Sequence, residues 1–183
     1  FKHKMSVALQ DSIIGYDIWK YIAYVATALP FVSFFTIKKA PCASGVLNMI
    51  ADTLNILFRA DAWIDNSLYL ISYVYNILFS LINIGWGVST CLNNDEIKET
   101  GKYNVGMSKF VVILLKVFAV LQIIITFLIG AAEVLVERLG AIANLILEGL
   151  LGLEGIDASV FGASGWFNFS SFFTAIALLV ALC

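Results

Sequence analysis

One stretch of the chain, from Asn66 to Leu92, contains no charged residue and constrains the fold more than any other. As an α-helix rising about 1.5 Å per residue, it is long enough to cross a hydrocarbon layer about 30 Å thick. Polar and small residues recur in it at alternating steps of four and three, and therefore share one narrow helical face. This face, here called the seam, consists of Tyr69, Tyr73, Asn76, Ser80, Asn83 and Gly87.

The seam and the remaining faces of this helix predict different neighbours. The other faces carry mainly Leu, Ile, Val and Phe, which suit contact with lipid. Lipid offers no hydrogen-bond partner to Asn76 or Asn83, so we predict that the seam packs against other protein and that both amides bond across helices.

The composition of the chain indicates a membrane protein. Hydrophobic residues make up 61% of the sequence, charged residues 13%, and the mean hydropathy is +0.92. A soluble domain has about a quarter charged residues, so this chain has roughly half the charge needed to cover a surface in water. The net charge of −2 and the lack of a basic cluster argue against nucleic acid as a partner. We predict a single all-α, polytopic integral membrane domain over residues 1–183.

The apolar runs predict four transmembrane helices and two amphipathic helices near the membrane interfaces. The predicted spans are residues 12–37, 66–92, 109–130 and 166–183, and the predicted amphipathic helices are residues 46–64 and 131–153. A turn is predicted at residues 40–45, and a solvent loop at residues 93–107.

The first amphipathic helix has a thin polar face. Asn48, Asp52, Asn55 and Arg59 recur at steps of four, three and four, and most of the other positions are apolar. A helix lying in the interface fits this pattern. In the alternative interpretation it continues into the next helix, since neither Gly nor Pro interrupts the sequence between them.

The three cysteines predict neither a disulfide framework nor a zinc site. Cys42, Cys91 and Cys183 show no CxxC spacing, and any pairing leaves one over. The four-span order also places Cys42 and Cys91 on opposite sides of the membrane.

The second amphipathic helix carries an acidic stripe of Glu133, Glu137 and Glu148. We interpret it as a polar helix face at a membrane surface. In the alternative interpretation these carboxylates relay protons or bind cations, as ionisable groups inside membranes often do.

The same helix contains a short resemblance to a known family. Residues 133–141, EVLVERLGA, resemble the chlorophyll-binding helix of light-harvesting proteins, which reads E-x-x-[HN]-x-R-[LW]-[AG]-M. The resemblance implies an ion pair between Glu133 and Arg138 of neighbouring helices, with chlorophyll or carotenoid as cofactors. Val136 stands at the position of the pigment ligand and Ala141 at that of the Met, so we predict no cofactor other than bound lipid.

No catalytic or metal-binding constellation is visible in the sequence. His3 is the only histidine, and HExxH, GxSxG and glycine-rich phosphate motifs are missing. We therefore expect a non-catalytic accessory subunit of a larger membrane complex, with other membrane subunits and lipids as partners. A small channel or carrier with the seam lining its path is the alternative, and a pigment-binding antenna-like protein is a third hypothesis.

The start of the chain at Phe1 guides the prediction of its location. It suggests either a removed targeting peptide or a start inside a longer product. On the first interpretation we expect an organelle membrane, mitochondrial inner or thylakoid.

Overall fold

The computed structural model describes residues 16–58, 67–103, 107–139 and 158–183. Every regular element in these residues is a helix, which confirms the all-α fold class. The six helices are α1 (Tyr16–Thr36), α2 (Pro41–Phe58), α3 (Ser67–Leu92), α4 (Asn94–Thr100), α5 (Lys109–Leu139) and α6 (Ala158–Leu182).

Three of these helices are long and apolar enough to span a membrane. The spanning windows are Ile71–Leu92 in α3, Lys109–Leu135 in α5 and Gly165–Leu182 in α6. The predicted count of four spans is not confirmed, because α1 is not among them. Its first turns carry Lys20 and several aromatic rings, which lower its hydropathy.

The outer surface of the bundle is apolar and its interior is partly polar. Phe110 is 73% exposed, Leu128 61% and Leu78 53%, whereas Asn83, Gln122 and Asp52 are fully buried. A protein in water shows the opposite distribution. The arrangement suits a bundle whose outer surface is covered by lipid.

Helix α6 lies at the centre of the bundle, in contact with α1, α2, α3 and α5. Helices α1, α2 and α3 pack as consecutive antiparallel neighbours, and α5 packs mainly on α6. Close backbone approaches mark two of the interfaces. A Cβ atom on Gly45 of α2 would lie 3.1 Å from the Gly87 carbonyl oxygen of α3, and one on Gly130 of α5 would lie 3.1 Å from that of Gly165 in α6.

A disulfide joins Cys42, at the start of α2, to Cys91, near the end of α3. Their Cα atoms are 4.2 Å apart, so both residues lie at the same end of the bundle. Nothing in the sequence indicated this disulfide, and the prediction that these cysteines lie on opposite sides is wrong. The physical reason is the course of α2, which runs back along α1 through the bundle and returns the chain to its starting end before α3 begins.

Helix α2 begins earlier than the sequence predicts. The residues predicted as a turn include its first helical residues, from Pro41. Proline is favoured at a first helical position, where its missing N–H has no partner to lose. The last part of the predicted amphipathic helix, residues 59–64, lies outside the described residues.

The predicted solvent loop contains the short helix α4. It ends at Gly101, whose φ of 68° is the left-handed conformation that glycine adopts most readily. Ile97 is buried against the bundle, and Tyr103 stacks on Trp86 with ring centroids 6.1 Å apart. Burial raises the pKa of Tyr103 to about 12. This connection is therefore packed onto the end of the bundle.

Helix α5 continues beyond the predicted end of its span at residue 130. Gly130 does not end the helix, which runs to Leu139. This glycine instead allows α6 to approach closely. Residues 140–153 of the second predicted amphipathic helix lie outside the described residues.

Candidate functional site

Polar side chains from four helices point into the bundle and are almost completely buried. We call this set the polar interior. It consists of Asn48, Asp52 and Asn55 from α2, Ser72, Asn76, Ser80 and Asn83 from α3, Gln122, Thr126 and Glu133 from α5, and Asn168, Ser170 and Thr174 from α6.

Asp52 lies at the centre of the polar interior. Its carboxyl is fully buried, and Asn83 of α3 donates a hydrogen bond from Nδ2 to Asp52 Oδ2 at 2.7 Å. The side chains of Ser80, also on α3, and Thr174, on α6, lie against the same carboxyl. Three helices therefore surround one carboxyl group. No charged residue is among these neighbours, which are all amide or hydroxyl side chains.

Asn55 ties α2 to α6 and, through α6, to α1. Its Nδ2 donates to Ser170 Oγ at 2.9 Å and to the Ala51 carbonyl oxygen at 3.0 Å. Ser170 in turn donates to the carbonyl oxygen of Ala26. This chain of hydrogen bonds fixes the amide oxygen of Asn55 one helical turn from Asp52.

Several polar atoms around Asp52 have no hydrogen-bond partner among the residues that the structure describes. They are Asp52 Oδ1, Asn55 Oδ1, Asn83 Oδ1 and both amide atoms of Asn48. We call Asn48, Asp52, Asn55 and Asn83 the amide–carboxyl cluster. Four of its five unpartnered atoms are oxygens, so the cluster has a surplus of hydrogen-bond acceptors.

A second group of polar residues joins α3 to α5. Gln122 Nε2 donates to Asn76 Oδ1, and Asn76 Nδ2 donates to Ser72 Oγ at 3.4 Å. Tyr75 donates from its hydroxyl to the Phe118 carbonyl oxygen at 2.8 Å. Asn76 is two helical turns from Asn83 along α3, so this group is separate from the one around Asp52.

A third group joins α5 to α6. Glu133 is 1% exposed, and Asn168 donates from Nδ2 to Glu133 Oε1 at 3.2 Å. Arg138, which the light-harvesting resemblance pairs with Glu133, has an exposed side chain.

The acidic stripe is described only in part. The structure places Glu133 inside the bundle, against α6. The side chain of Glu137 and the whole of Glu148 lie outside what the structure describes.

The seam faces other helices of the same chain. Asn76, Ser80, Asn83 and Gly87 are buried, and Tyr73 is partly buried. Gly87 and Asn83 meet α2, and Asn76 meets α5. The side chain of Tyr69 lies outside the described residues.

Sequence reasoning missed the contribution of α6 to this site. Asn168, Ser171 and Thr174 recur at steps of three, which was the available signal for a polar face. Among the described residues, no three His, Cys, Asp or Glu side chains come together to hold a metal ion. The donor set around Asp52 is instead one carboxylate with neutral amides and hydroxyls.

Comparison with protein-family models, with curated proteins and with solved structures finds no match to this chain.

Proposed function

We propose that this chain is a small membrane carrier or channel for monovalent cations, protons included, whose path follows the polar interior. The observation that carries the proposal is the complete burial of Asp52 in the middle of a bundle with an apolar outer surface. A buried, uncompensated carboxylate costs several kcal/mol, a cost that a bound proton or cation offsets. Ionisable groups inside membrane bundles commonly mark ion or proton pathways for this reason.

The spacing of the polar groups supports the same proposal. Asn83, beside Asp52, is two helical turns from Asn76, or about 10 Å at 1.5 Å per residue. Gln122, which bonds to Asn76, is about three turns from Glu133, or roughly 16 Å. Three groups of polar side chains are therefore spaced along the helices, and such a spacing supports a path on which a cation passes between successive binding sites.

Flux measurement in proteoliposomes tests this function. We expect vesicles holding the 183-residue chain to conduct H⁺, Na⁺ or K⁺ above empty vesicles, and Asp52→Asn to lower the flux at least tenfold. That variant keeps the size of the side chain and removes its charge. Asp95→Asn, on the exposed surface of α4, is the matched control and should leave the flux unchanged. Flux at the level of empty vesicles for all three ions would exclude the proposal.

A second candidate function is that of a non-catalytic accessory subunit in a larger membrane complex, in an organelle membrane such as the mitochondrial inner or thylakoid membrane. The outer face of α5 favours it, because this helix packs mainly on α6 and leaves much of its apolar surface uncovered. Other membrane subunits and lipids are the proposed partners of that face. On native gels of mild-detergent extracts, a subunit migrates with its complex, whereas a carrier migrates as a monomer or small oligomer.

A further inference from the structure

The amide–carboxyl cluster contains several oxygen atoms that accept no hydrogen bond from the residues that the structure describes. Asn48 is fully buried, and neither its Oδ1 nor its Nδ2 has a partner among the described residues. An unsatisfied buried polar group costs about 1–3 kcal/mol, so a side chain with two such atoms in a packed interior points to a missing partner.

The helix geometry places three residues of the cluster along one face of α2, with Asp52 between the two asparagines. Asn48, Asp52 and Asn55 follow each other at steps of four and three and share one face of α2. Asn83 reaches this face from α3, where its Nδ2 lies 2.7 Å from Asp52 Oδ2. Among the residues that the structure describes, the Oδ1 atom of each of the four has no hydrogen-bond partner.

The charge of the cluster and the chemical type of its oxygen atoms indicate which class of ligand it can bind. Carboxylate, amide and hydroxyl oxygens are the ligands of hard cations. The cluster carries one carboxylate, so a monovalent ion neutralises it, whereas a divalent ion would leave a net positive charge in an apolar bundle. The groups facing Asp52 from α3 and α6 are Asn83, Ser80 and Thr174, none of which adds charge.

We infer that Asn48, Asp52, Asn55 and Asn83 form a binding site for one dehydrated alkali cation, Na⁺ or K⁺. The Asp52 carboxylate supplies the charge and the amide oxygens replace the hydration shell. The hydroxyl groups of Ser80 and Thr174, which lie against the Asp52 carboxyl, provide additional ligand oxygens. The inference deepens the proposed function by naming the ion class and its site, but the site can exist in a protein that transports nothing.

Cation-dependent stability of the 183-residue chain in detergent micelles tests the site. The unfolding midpoint is measured in NaCl, KCl, LiCl and choline chloride at equal ionic strength, and 1:1 stoichiometry is tested by equilibrium dialysis with radioactive Na⁺. A ligand that binds only the folded state stabilises it in proportion to the logarithm of its concentration. We expect Na⁺ or K⁺ to raise the midpoint by about 5 °C or more over choline, and the more effective of the two identifies the preferred ion.

Two variants distinguish a cation-binding site from polar residues that only stabilise the fold. Asn48→Leu removes one ligand oxygen without breaking a hydrogen bond, so we expect it to unfold in choline no lower than the wild-type chain and to lose most of the response to Na⁺ or K⁺. Asp52→Asn should lose the response entirely. Thr90→Val, two turns from Asn83 on α3 and outside the polar interior, is the control and should keep the response even if its baseline midpoint falls.

The outcomes are distinct from those of the flux experiment. An equal midpoint in choline and in all three alkali chlorides would exclude the site, and so would a full response in Asn48→Leu. Saturable binding together with no flux would keep the site and exclude the carrier. Proton flux without any effect of Na⁺ or K⁺ would keep the carrier and exclude the site.

Discussion

Gly87 and Gly85 lie two positions apart on α3 but in opposite surroundings. A Cβ atom on Gly87 would come within 2.6 Å of Met49 Cγ and 3.0 Å of the Gly45 carbonyl oxygen, whereas one on Gly85 would meet nothing within 4 Å. The closeness of α2 and α3 therefore depends on Gly87 and not on Gly85.

This contrast gives a matched pair of substitutions. We expect Gly87→Ala to lower the free energy of unfolding by about 1–3 kcal/mol, because the added methyl group forces the two helices apart. Gly85→Ala should raise it by up to about 1 kcal/mol through helix propensity. Reversible unfolding in mixed micelles measures both. Equal effects of the two substitutions would contradict the close packing of Gly87 against α2.

The contribution of the hydrogen bond between Asn76 and Gln122 to stability can be measured with a double-mutant cycle. Either single change to Leu leaves the other amide without this partner, so we expect the cycle to give a coupling of about 0.6–2 kcal/mol. Asn76→Leu combined with Thr90→Val, about 20 Å along the same helix, should be additive within about 0.5 kcal/mol. A coupling near zero for the first pair would mean that the two amides do not stabilise each other.

At the scale of the elements, α2 shows what the sequence could and could not predict. Its polar spacing indicated a helix with one thin polar face, and the structure has that helix. The sequence pattern alone does not show whether this face contacts water or other helices, because polar side chains can find hydrogen-bond partners in either environment. The deciding partners are Asn83 and Thr174, on α3 and α6, which are far away in the sequence.

The disulfide and the course of α5 were unpredictable for related reasons. Cys42 and Cys91 are separated by 49 positions, and only the return of α2 through the bundle brings them together. Gly130 indicated the end of a helix. In the structure it instead allows α6 to pack closely against α5, and this close contact also requires the glycine at position 165. By contrast, the three spanning helices followed directly from long apolar runs, because length and apolarity are local properties.

The disulfide should contribute strongly to the pairing of α2 with α3. For a loop of 49 residues, chain entropy gives about 4 kcal/mol. We expect Cys42→Ser with Cys91→Ser to lower the free energy of unfolding by about 2–5 kcal/mol, as measured in mixed micelles without reductant. Cys183→Ser, at an exposed free cysteine, is the control and should have no effect. A reductant should lower the stability of the wild-type chain but not that of the double variant.

At the scale of the whole molecule, the antiparallel order of α1, α2 and α3 predicts which surface residues share a side of the membrane. Lys39, after α1, and Glu99, in α4, lie at the end that holds the disulfide, and Arg138, in α5, lies at the other end. In a Cys183→Ser background, we expect Lys39→Cys and Glu99→Cys to react with a membrane-impermeant maleimide from the same side of sealed vesicles. Arg138→Cys should react from the opposite side. Labelling of Lys39→Cys and Glu99→Cys from opposite sides would contradict this arrangement and would support the four-span topology predicted from the sequence.

The amide-rich interior and apolar outer surface also have a calorimetric consequence. In soluble domains, the heat capacity rises on unfolding by about 12–15 cal/mol/K per residue, because apolar side chains become hydrated. Here Phe110, Leu128 and their neighbours are exposed on the folded bundle, so detergent covers them in a micelle and unfolding there should hydrate little additional apolar surface. Scanning calorimetry should give a heat capacity increment well below the soluble value. The free energy of unfolding then changes almost linearly with temperature, and cooling alone does not unfold the bundle.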